Sequence, residues 1–475
     1  MDVDENIKEE IKEEEEVNDQ DMEEDESDSS SEYSDDEDVK EEKEDGQEED
    51  EEKTPVKETA YLPKQGLGED EELVMDEQAY IIYHQASLGP PCLSFDVVLD
   101  DLGDDRADSY PMSIYGVAGT QASKMNDNSV VVFKMHNLHP IKRKNTENDE
   151  ESEDEDDSDD ENEDPEKEPK LKIAAIKHHG CINRIRFKAI GDTCLAAAWS
   201  EQGSVGIWSL DHCIEKVNQP GPNSDKDKRE STSPLFSFRG HQSEGFAMNW
   251  SPTMSGVLAT GDCKRNIHIW KPSNDSASWS IDAKPLKGHT DSVEDIIWSP
   301  NEANVLASCS VDQSVRIWDC RANPDKANML TVANAHDRDV NVIDWNKNEP
   351  FIASGGDDGM LKIWDLRMFD KGKPVAVFKH HTQPITSVEW HPKDFSVLAS
   401  SGADNQIALW DLAIEKDPEE MPEKTDDELK DVPPQLLFIH QGMQDVKELH
   451  WHPQIPGLLV ATSATGFDVF RTISV

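Results

Sequence analysis

The amino-acid sequence predicts an all-β fold, a seven-bladed β-propeller with a disordered acidic N-terminal tail and an acidic internal loop. Three observations support this prediction. A unit of short strands recurs seven times along the 475 residues, a histidine precedes the end of six units at a nearly constant distance, and the acidic residues are concentrated in a few stretches. Repeats of several short strands with constant internal spacing are typical of propeller blades.

Each unit contains an apolar strand that ends in an aromatic residue, as in RNIHIWKP, QSVRIWDC and GMLKIWDL. A second strand upstream also ends in an aromatic residue, as in VEDIIWSP, and turn residues separate the two. Four short strands in each unit fit one propeller blade. The seven aromatic positions are Phe133, Trp208, Trp270, Trp318, Trp364, Trp410 and Phe470.

A histidine lies 28 to 30 residues before the aromatic residue in six of the units. Because these histidines recur in every such unit, whereas catalysis needs a single site, we interpret them as structural. They are His179, His241, His289, His336, His381 and His440.

The last unit lacks room for its outer strand, because the sequence stops five residues after Phe470. We therefore predict that residues 79–84, AYIIYH, supply the outer strand of blade seven. Residues 92–99, CLSFDVVL, then form the first strand of blade one. This arrangement would hide an exposed sheet edge.

The formal charge of −56 is unevenly distributed: residues 1–58 hold 31 acids against six lysines, and residues 145–169 hold 16 acids against one lysine. Such stretches cannot bury enough apolar surface to offset chain entropy, so we predict disorder in both. The predicted organisation is a tail over residues 1–60 and a propeller over residues 61–475. A disordered acidic loop over 141–171, a polar loop over 213–234 and an acidic, proline-ended loop over 413–434 interrupt the propeller. Acid density beyond what solubility requires favours a basic partner.

Several classes of function are disfavoured. Seven cysteines without a C-x-x-C pair indicate reduced thiols in the cytosol or nucleus. Neither a secretory signal nor an apolar run of 18 residues is present, so we expect no membrane segment. Phosphate-binding, nucleophile-elbow and zinc-protease motifs are also missing, so we predict no enzyme, no cofactor and no metal site. An acidic chain lacks the basic surface that direct nucleic-acid binding requires.

Glycine-histidine and tryptophan-aspartate dipeptides mark several units, and in this respect the sequence resembles the WD-repeat family. These dipeptides are Gly240-His241, Gly288-His289, Trp318-Asp319, Trp364-Asp365 and Trp410-Asp411.

The resemblance implies that a histidine, a serine or threonine, a turn aspartate and a tryptophan are hydrogen-bonded within each blade. The blades ending at Trp270 and Trp208 depart from the pattern, because Lys264 and Ala198 stand at the aspartate and serine positions, and we expect them to be less rigid. The matching sets are His289, Ser308, Asp312 and Trp318; His336, Ser354, Asp358 and Trp364; and His381, Ser400, Asp404 and Trp410.

The stretches PPQLLFIHQG and GPPCLSFDVV resemble segments of the histone-binding WD-repeat chaperones. In that family an acidic, proline-ended loop and an N-terminal helix hold a basic amphipathic histone helix. Only a short helix, over residues 69–76, is predicted here, which differs from the longer helix of the family. The resemblance implies client binding by Asp426, Asp427, Glu428, Asp431, Pro433 and Pro434.

With its glutamate-rich N-terminus and the stretch LVMDEQAY, the chain is most similar to the glutamate-rich WD-repeat group of ribosome-assembly factors. That resemblance implies a non-enzymatic acidic chaperone or scaffold that binds a newly made large-subunit ribosomal protein. We expect a monomer that takes part in pre-ribosomal assemblies. One alternative is a histone-binding chromatin factor. A second is a substrate adaptor of a cullin-four ubiquitin ligase, because WDCR and WDLR match the docking motif of that family.

Four serines have an acid three residues further on and therefore suit an acid-directed kinase, which would deepen the negative charge. They are Ser29, Ser34, Ser152 and Ser158. The resemblance, together with the basic run at residues 142–144, implies a nuclear and nucleolar location with shuttling to the cytoplasm.

Overall fold

Short strands with buried apolar residues build seven four-stranded antiparallel sheets in the part of the chain that the computed structural model describes. That part comprises residues 73–141, 167–221, 229–273, 278–415 and 432–475. The sheets are seven propeller blades, which confirms the predicted fold class.

The strands of blades one to six follow the chain in order, from the inner strand to the outer strand. Blade one contains β2 (Cys92–Val98), β3 (Met112–Thr120), β4 (Ser129–Leu138) and β5 (Lys170–Lys177). Blade two contains β6 (Ile182–Ile190), β7 (Thr193–Ser200), β8 (Ser204–Ser209) and β9 (Phe236–Phe238). Blade three contains β10 (Ala247–Trp250), β11 (Leu258–Gly261), β12 (Ile267–Pro272) and β13 (Trp279–Ile281).

The remaining blades repeat this arrangement. Blade four contains β14 (Val293–Trp298), β15 (Val305–Ser310), β16 (Val315–Asp319) and β17 (Asn328–Val332). Blade five contains β18 (Val340–Trp345), β19 (Phe351–Gly356), β20 (Leu361–Asp365) and β21 (Ala376–Phe378). Blade six contains β22 (Ile385–Trp390), β23 (Val397–Gly402), β24 (Ile407–Asp411) and β25 (Leu436–His440). Blade seven contains β26 (Glu448–Trp451), β27 (Leu458–Thr462), β28 (Phe467–Thr472) and β1 (Tyr80–Ala86).

Helical structure is confined to connections in the described residues. The α-helix α1 (Asp211–Asn218) follows β8, and four 3-10 turns span Glu77–Ala79, Met125–Asp127, Pro324–Lys326 and Leu366–Lys371. None of these helices is long and apolar enough to cross a membrane.

Three predicted boundaries differ from the structure. The predicted polar loop over residues 213–234 begins inside α1, because Cys213 and Val217 are buried on one face of that helix. The predicted loop over 141–171 is shorter at both ends: Ile141 is hydrogen-bonded to β1, and β5 begins at Lys170. Residues 73–76 of the predicted helix over 69–76 are not helical, and only the turn Glu77–Ala79 follows before β1.

The N-terminal strand closes the ring of blades. β1 pairs with β28 in antiparallel register, with Tyr83 opposite Phe470 and Ala86 opposite Phe467. The side chain of Ile82 is completely buried in the core between blades one and seven. The prediction that residues 79–84 complete blade seven is therefore confirmed.

A second set of contacts joins the inner strands around the central channel. In each contact, a carboxylate on one inner strand accepts a hydrogen bond from a backbone N–H of the next blade. Glu448 also forms ion pairs with Arg184 and Arg186, at 2.6 and 2.7 Å. Burial opposes ionisation of Glu448, but the two arginines outweigh it and hold its pKa well below the usual range. The acceptor and donor residues are Asp96 and Phe187, Asp295 and Ile343, Asp344 and Trp390, and Glu448 and Phe95.

We predict that removal of residues 1–86 lowers the melting temperature by about 10 °C or more. The truncation exposes the edge of β28 and the apolar surface that buries Ile82, and each buried side chain of that size contributes about 1.5–3 kcal/mol. The matched control removes residues 1–58 and leaves β1 in place, so its melting temperature should equal that of the full chain. Equal melting temperatures for the two truncations would contradict closure by β1.

Candidate functional site

Three blades bring together the four side chains that the sequence pattern assigns to them. In blade four, His289 Nδ1 lies 2.9 Å from Asp312 Oδ2, and His289 Nε2 lies 2.6 Å from Ser308 Oγ. The indole N–H of Trp318 donates to the same Ser308 Oγ at 2.8 Å. With the proton on Nδ1, every polar atom of this chain has a partner. Equivalent bonds join His336, Ser354, Asp358 and Trp364, and His381, Ser400, Asp404 and Trp410.

The electrostatics of these blades agree with that assignment. Burial lowers the pKa of His289, so its ring is neutral at neutral pH. Burial by itself would raise the pKa of Asp358, but the hydrogen bond with His336 more than compensates and lowers it to about 2. Each unit is therefore an ionised aspartate beside a neutral histidine, an arrangement that fixes the blade rather than one that performs chemistry.

Blade three corrects the expectation placed on Lys264. Its network is complete, because Asp262 lies 2.8 Å from His241 Nδ1, and Thr260 joins His241 Nε2 to the indole N–H of Trp270. The aspartate lies two residues nearer the strand than in blades four to six, at the position directly after β11, and reaches the same imidazole nitrogen. The expectation of a weakened blade three was therefore wrong.

Blade two has the predicted gap at Ala198, and its histidine differs from the expected one. The buried indole N–H of Trp208 has no hydrogen-bond partner among the described residues. His178 packs edge-on against Trp208 at 6.0 Å, whereas the predicted His179 is exposed and bonds to Asn126. The choice of His179 was wrong, because only one of two adjacent residues can face the blade.

Blade seven replaces the usual network with one that the sequence analysis missed. His440 Nδ1 lies 2.8 Å from the hydroxyl of Tyr80, its Nε2 lies 3.2 Å from Asp468 Oδ2, and its ring stacks on Phe470. Tyr83 also donates to Asp468 at 3.1 Å. The network joins β1, β25 and β28, and the tyrosines in the predicted N-terminal strand were the available signal for it.

The same network lies beneath a surface that we call the blade-seven rim, formed by residues 74–86, 139–141, 432–440 and 473–475. Tyr80 contacts Phe438 of β25 edge-on at 5.3 Å. The backbone N–H of Ile141 donates to Ile81, and that of Ile473 donates to Ala79. Three parts of the chain that are far apart in sequence therefore meet along β1.

Acidic stretches of sequence adjoin this rim. Residues 142–166, with 15 acids, directly follow Ile141, and residues 416–431, with eight acids, directly precede Val432. The rim also exposes apolar side chains, with Val74 at 85% and Ile473 at 56% exposure. Carboxylates adjoining exposed apolar groups are suited to a basic amphipathic segment.

The predicted client-binding residues fall mostly beyond the structure. Asp426, Asp427, Glu428 and Asp431 lie outside the described residues, as do the four predicted phosphorylation sites and the basic run at residues 142–144. Pro433 and Pro434 are described. The carbonyl of Pro433 accepts a hydrogen bond from Leu436, so the proline pair forms the turn that leads into β25 at the rim.

The two predicted adaptor motifs have matching geometry on blades four and five. Arg321 is held by two hydrogen bonds to Asp319, and Arg367 is held in the same way by Asp365. Each arginine side chain remains 66% exposed. The motifs are therefore accessible on neighbouring blades.

A seven-bladed propeller whose blades are fixed by histidine, hydroxyl, aspartate and tryptophan networks defines a WD-repeat protein. In agreement, residues 282–319, 328–365 and 372–411 match the WD domain, G-beta repeat. Residues 70–139, which include β1 and most of blade one, match the family described as histone-binding protein RBBP4 or the corresponding component of the CAF1 complex.

Comparison with known proteins gives the family. The chain is 40% identical over 431 residues to Protein HEAT STRESS TOLERANT DWD 1 of Arabidopsis thaliana, covering 86% of this chain and 90% of that protein. It is 40% identical to Ribosome assembly protein rrb1 of Schizosaccharomyces pombe, covering 87% and 84%. It is 41% identical to Glutamate-rich WD repeat-containing protein 1 of Dictyostelium discoideum, covering 86% and 83%. The chain belongs to this glutamate-rich WD-repeat family, as its motifs predicted.

The blade networks predict opposite effects for two reciprocal substitutions. Ser354→Ala removes the partner shared by His336 and Trp364 and should lower the free energy of unfolding by about 2–4 kcal/mol. Ala198→Ser offers an acceptor to the unpaired indole of Trp208 and should raise it by up to about 1 kcal/mol. Urea unfolding of both variants measures the difference. A loss of stability in Ala198→Ser as large as that in Ser354→Ala would contradict this account.

Proposed function

We propose that this protein is a non-enzymatic WD-repeat chaperone that binds a basic client protein, a newly made ribosomal protein of the large subunit, during ribosome biogenesis. The observation that carries the proposal is the blade-seven rim, where exposed apolar side chains lie beside the attachment points of two acidic stretches. The name of the relative from Schizosaccharomyces pombe, a ribosome assembly protein, supports the choice of process.

The charge distribution suits temporary screening of a basic chain. At physiological ionic strength the Debye length is about 8 Å, so exposed carboxylates act only on groups close to them. Stretches attached at one rim can act together on a client there, whereas the same charges spread around the propeller could not. Capture should therefore be fast, sensitive to salt and readily reversed when RNA competes for the client.

We divide the work between two kinds of acidic residue. The long acidic stretches of residues 1–58 and 145–169 attract the client, and phosphorylation of Ser29, Ser34, Ser152 and Ser158 would strengthen that attraction. Acids of the loop before Pro433 orient the client against the apolar part of the rim. Neither role requires a catalytic group, a cofactor or direct contact with nucleic acid, and we propose a monomer that works in the nucleus and nucleolus and shuttles to the cytoplasm.

Histones are the second candidate client, because residues 70–139 match a family described as histone-binding. Histone tails and ribosomal-protein extensions share the same chemistry, so charge alone does not separate them. Purification of the full chain with its partners at low salt does. A single large-subunit ribosomal protein as the main partner would support the proposal, whereas core histones or a ubiquitin-ligase linker in its place would contradict it.

Neutralising Asp426, Asp427, Glu428 and Asp431 to their amides should weaken binding of the purified ribosomal protein by roughly tenfold. Exposed charge contacts contribute about 0.2–1 kcal/mol each, and four act together here. Because the four positions lie in an insertion between β24 and β25, the melting temperature should be unchanged. Fluorescence anisotropy at two salt concentrations measures the affinity and its salt dependence.

The matched control neutralises four exposed acids elsewhere on the propeller, Asp192, Glu302, Asp337 and Asp370. It changes the net charge by the same amount, so a general effect of charge would weaken both variants equally. Equal affinities of the loop variant and the control would remove the loop from the proposed site.

A further inference from the structure

An apolar groove lies on the outer edge of blade five, away from the blade-seven rim. It has a volume of about 460 Å³, and its polar lining residue is Gln435. Blade five supplies one wall through β21, and Leu412 and Gln435 of blade six supply the other. The remaining lining residues are Phe351, Ile363, Val375, Ala376, Val377 and Phe378.

The strand that borders the groove is an open sheet edge. β21 is the last strand of blade five and pairs only with β20 among the described residues. The N–H of Val375 donates inward to Ile363 at 2.8 Å, so the N–H of Ala376 points to the outer edge. An edge of this kind is a template for a further strand.

The exposed side chains of this edge are apolar, in contrast to other outer strands. Val375 and Val377 are 51% and 43% exposed and line the groove at alternate positions. The exposed residues at the corresponding edges of β9 and β13 are Ser237 and Ser280. Alternate exposed valines beside a groove provide positions for the alternate side chains of an added strand.

Lysines surround this edge although the chain as a whole is strongly acidic. Lys371, Lys373 and Lys379 are exposed before and after β21, and none forms an ion pair with a carboxylate within the described residues. They would attract acidic residues of a segment that runs along β21.

We propose that blade five binds an extended segment of a partner protein, which adds to β21 as a fifth strand. The segment places alternate apolar side chains in the groove and acidic residues against the three lysines. The acidic residues 416–431 of this chain adjoin the blade-six wall, but they include Pro418 and Pro422 and lack alternating apolar residues, so they suit strand addition poorly.

The test uses the full-length protein and labelled twelve-residue peptides with alternating valine and leucine between acidic ends. Fluorescence anisotropy should detect binding of these peptides and at least about tenfold weaker binding of counterparts with lysine ends. Val377→Lys should abolish binding with little change in melting temperature, because the side chain is already half-exposed. Lys371→Glu, Lys373→Glu and Lys379→Glu together should reverse the preference for acidic ends.

Backbone methylation of the peptide distinguishes strand addition from simple apolar contact. Methyl groups on alternate amides in one register should prevent binding, whereas methylation in the other register should not. Equal binding of both registers, or of wild type and Val377→Lys, would overturn the proposal. Binding that appears only after deletion of residues 416–431 would assign the groove to the chain's own loop, and self-association abolished by Val377→Lys would assign it to a second copy. Normal peptide binding by the four-acid loop variant is expected, since the two sites are separate.

Discussion

The pairing of β1 with β28 is the interaction on which the rest of this propeller depends. Without it, blade seven would have three strands, and the apolar side chains beneath Ile82 would face water. The inner strands meet at the same junction, because Glu448 of blade seven accepts a hydrogen bond from Phe95 of blade one. Backbone pairing at the outer edge and a buried charge network at the inner edge thus close the ring together.

Closure and the proposed function use the same strand. Tyr80 in β1 bonds to His440, which belongs to the strand that follows the acidic, proline-ended loop. Ile81 accepts a hydrogen bond from Ile141, the residue that precedes the second acidic stretch. The fold therefore keeps its acidic sequence outside the core while attaching it beside one strand, so a ligand at the rim should also stabilise the closed ring.

The sequence was sufficient for the features that repeat. Constant spacing identified the seven blades, and the missing outer strand of the last blade identified β1. Features that depend on side chains from distant segments were not predictable, because several positions can reach the same partner in space. Asp262 replaces the expected turn aspartate, His178 rather than its neighbour packs on Trp208, and Tyr80 and Asp468 bond to His440. The acids proposed to orient the client remain a prediction from the resemblance.

Hydrogen–deuterium exchange of the full-length protein, with and without a purified large-subunit ribosomal protein, tests the central claim most directly. The account predicts slower exchange in residues 74–86 and 432–440, because the client covers the blade-seven rim, and little change in the outer strands of blades three and four. Protection confined to other blades, with exchange at the rim unchanged, would contradict it.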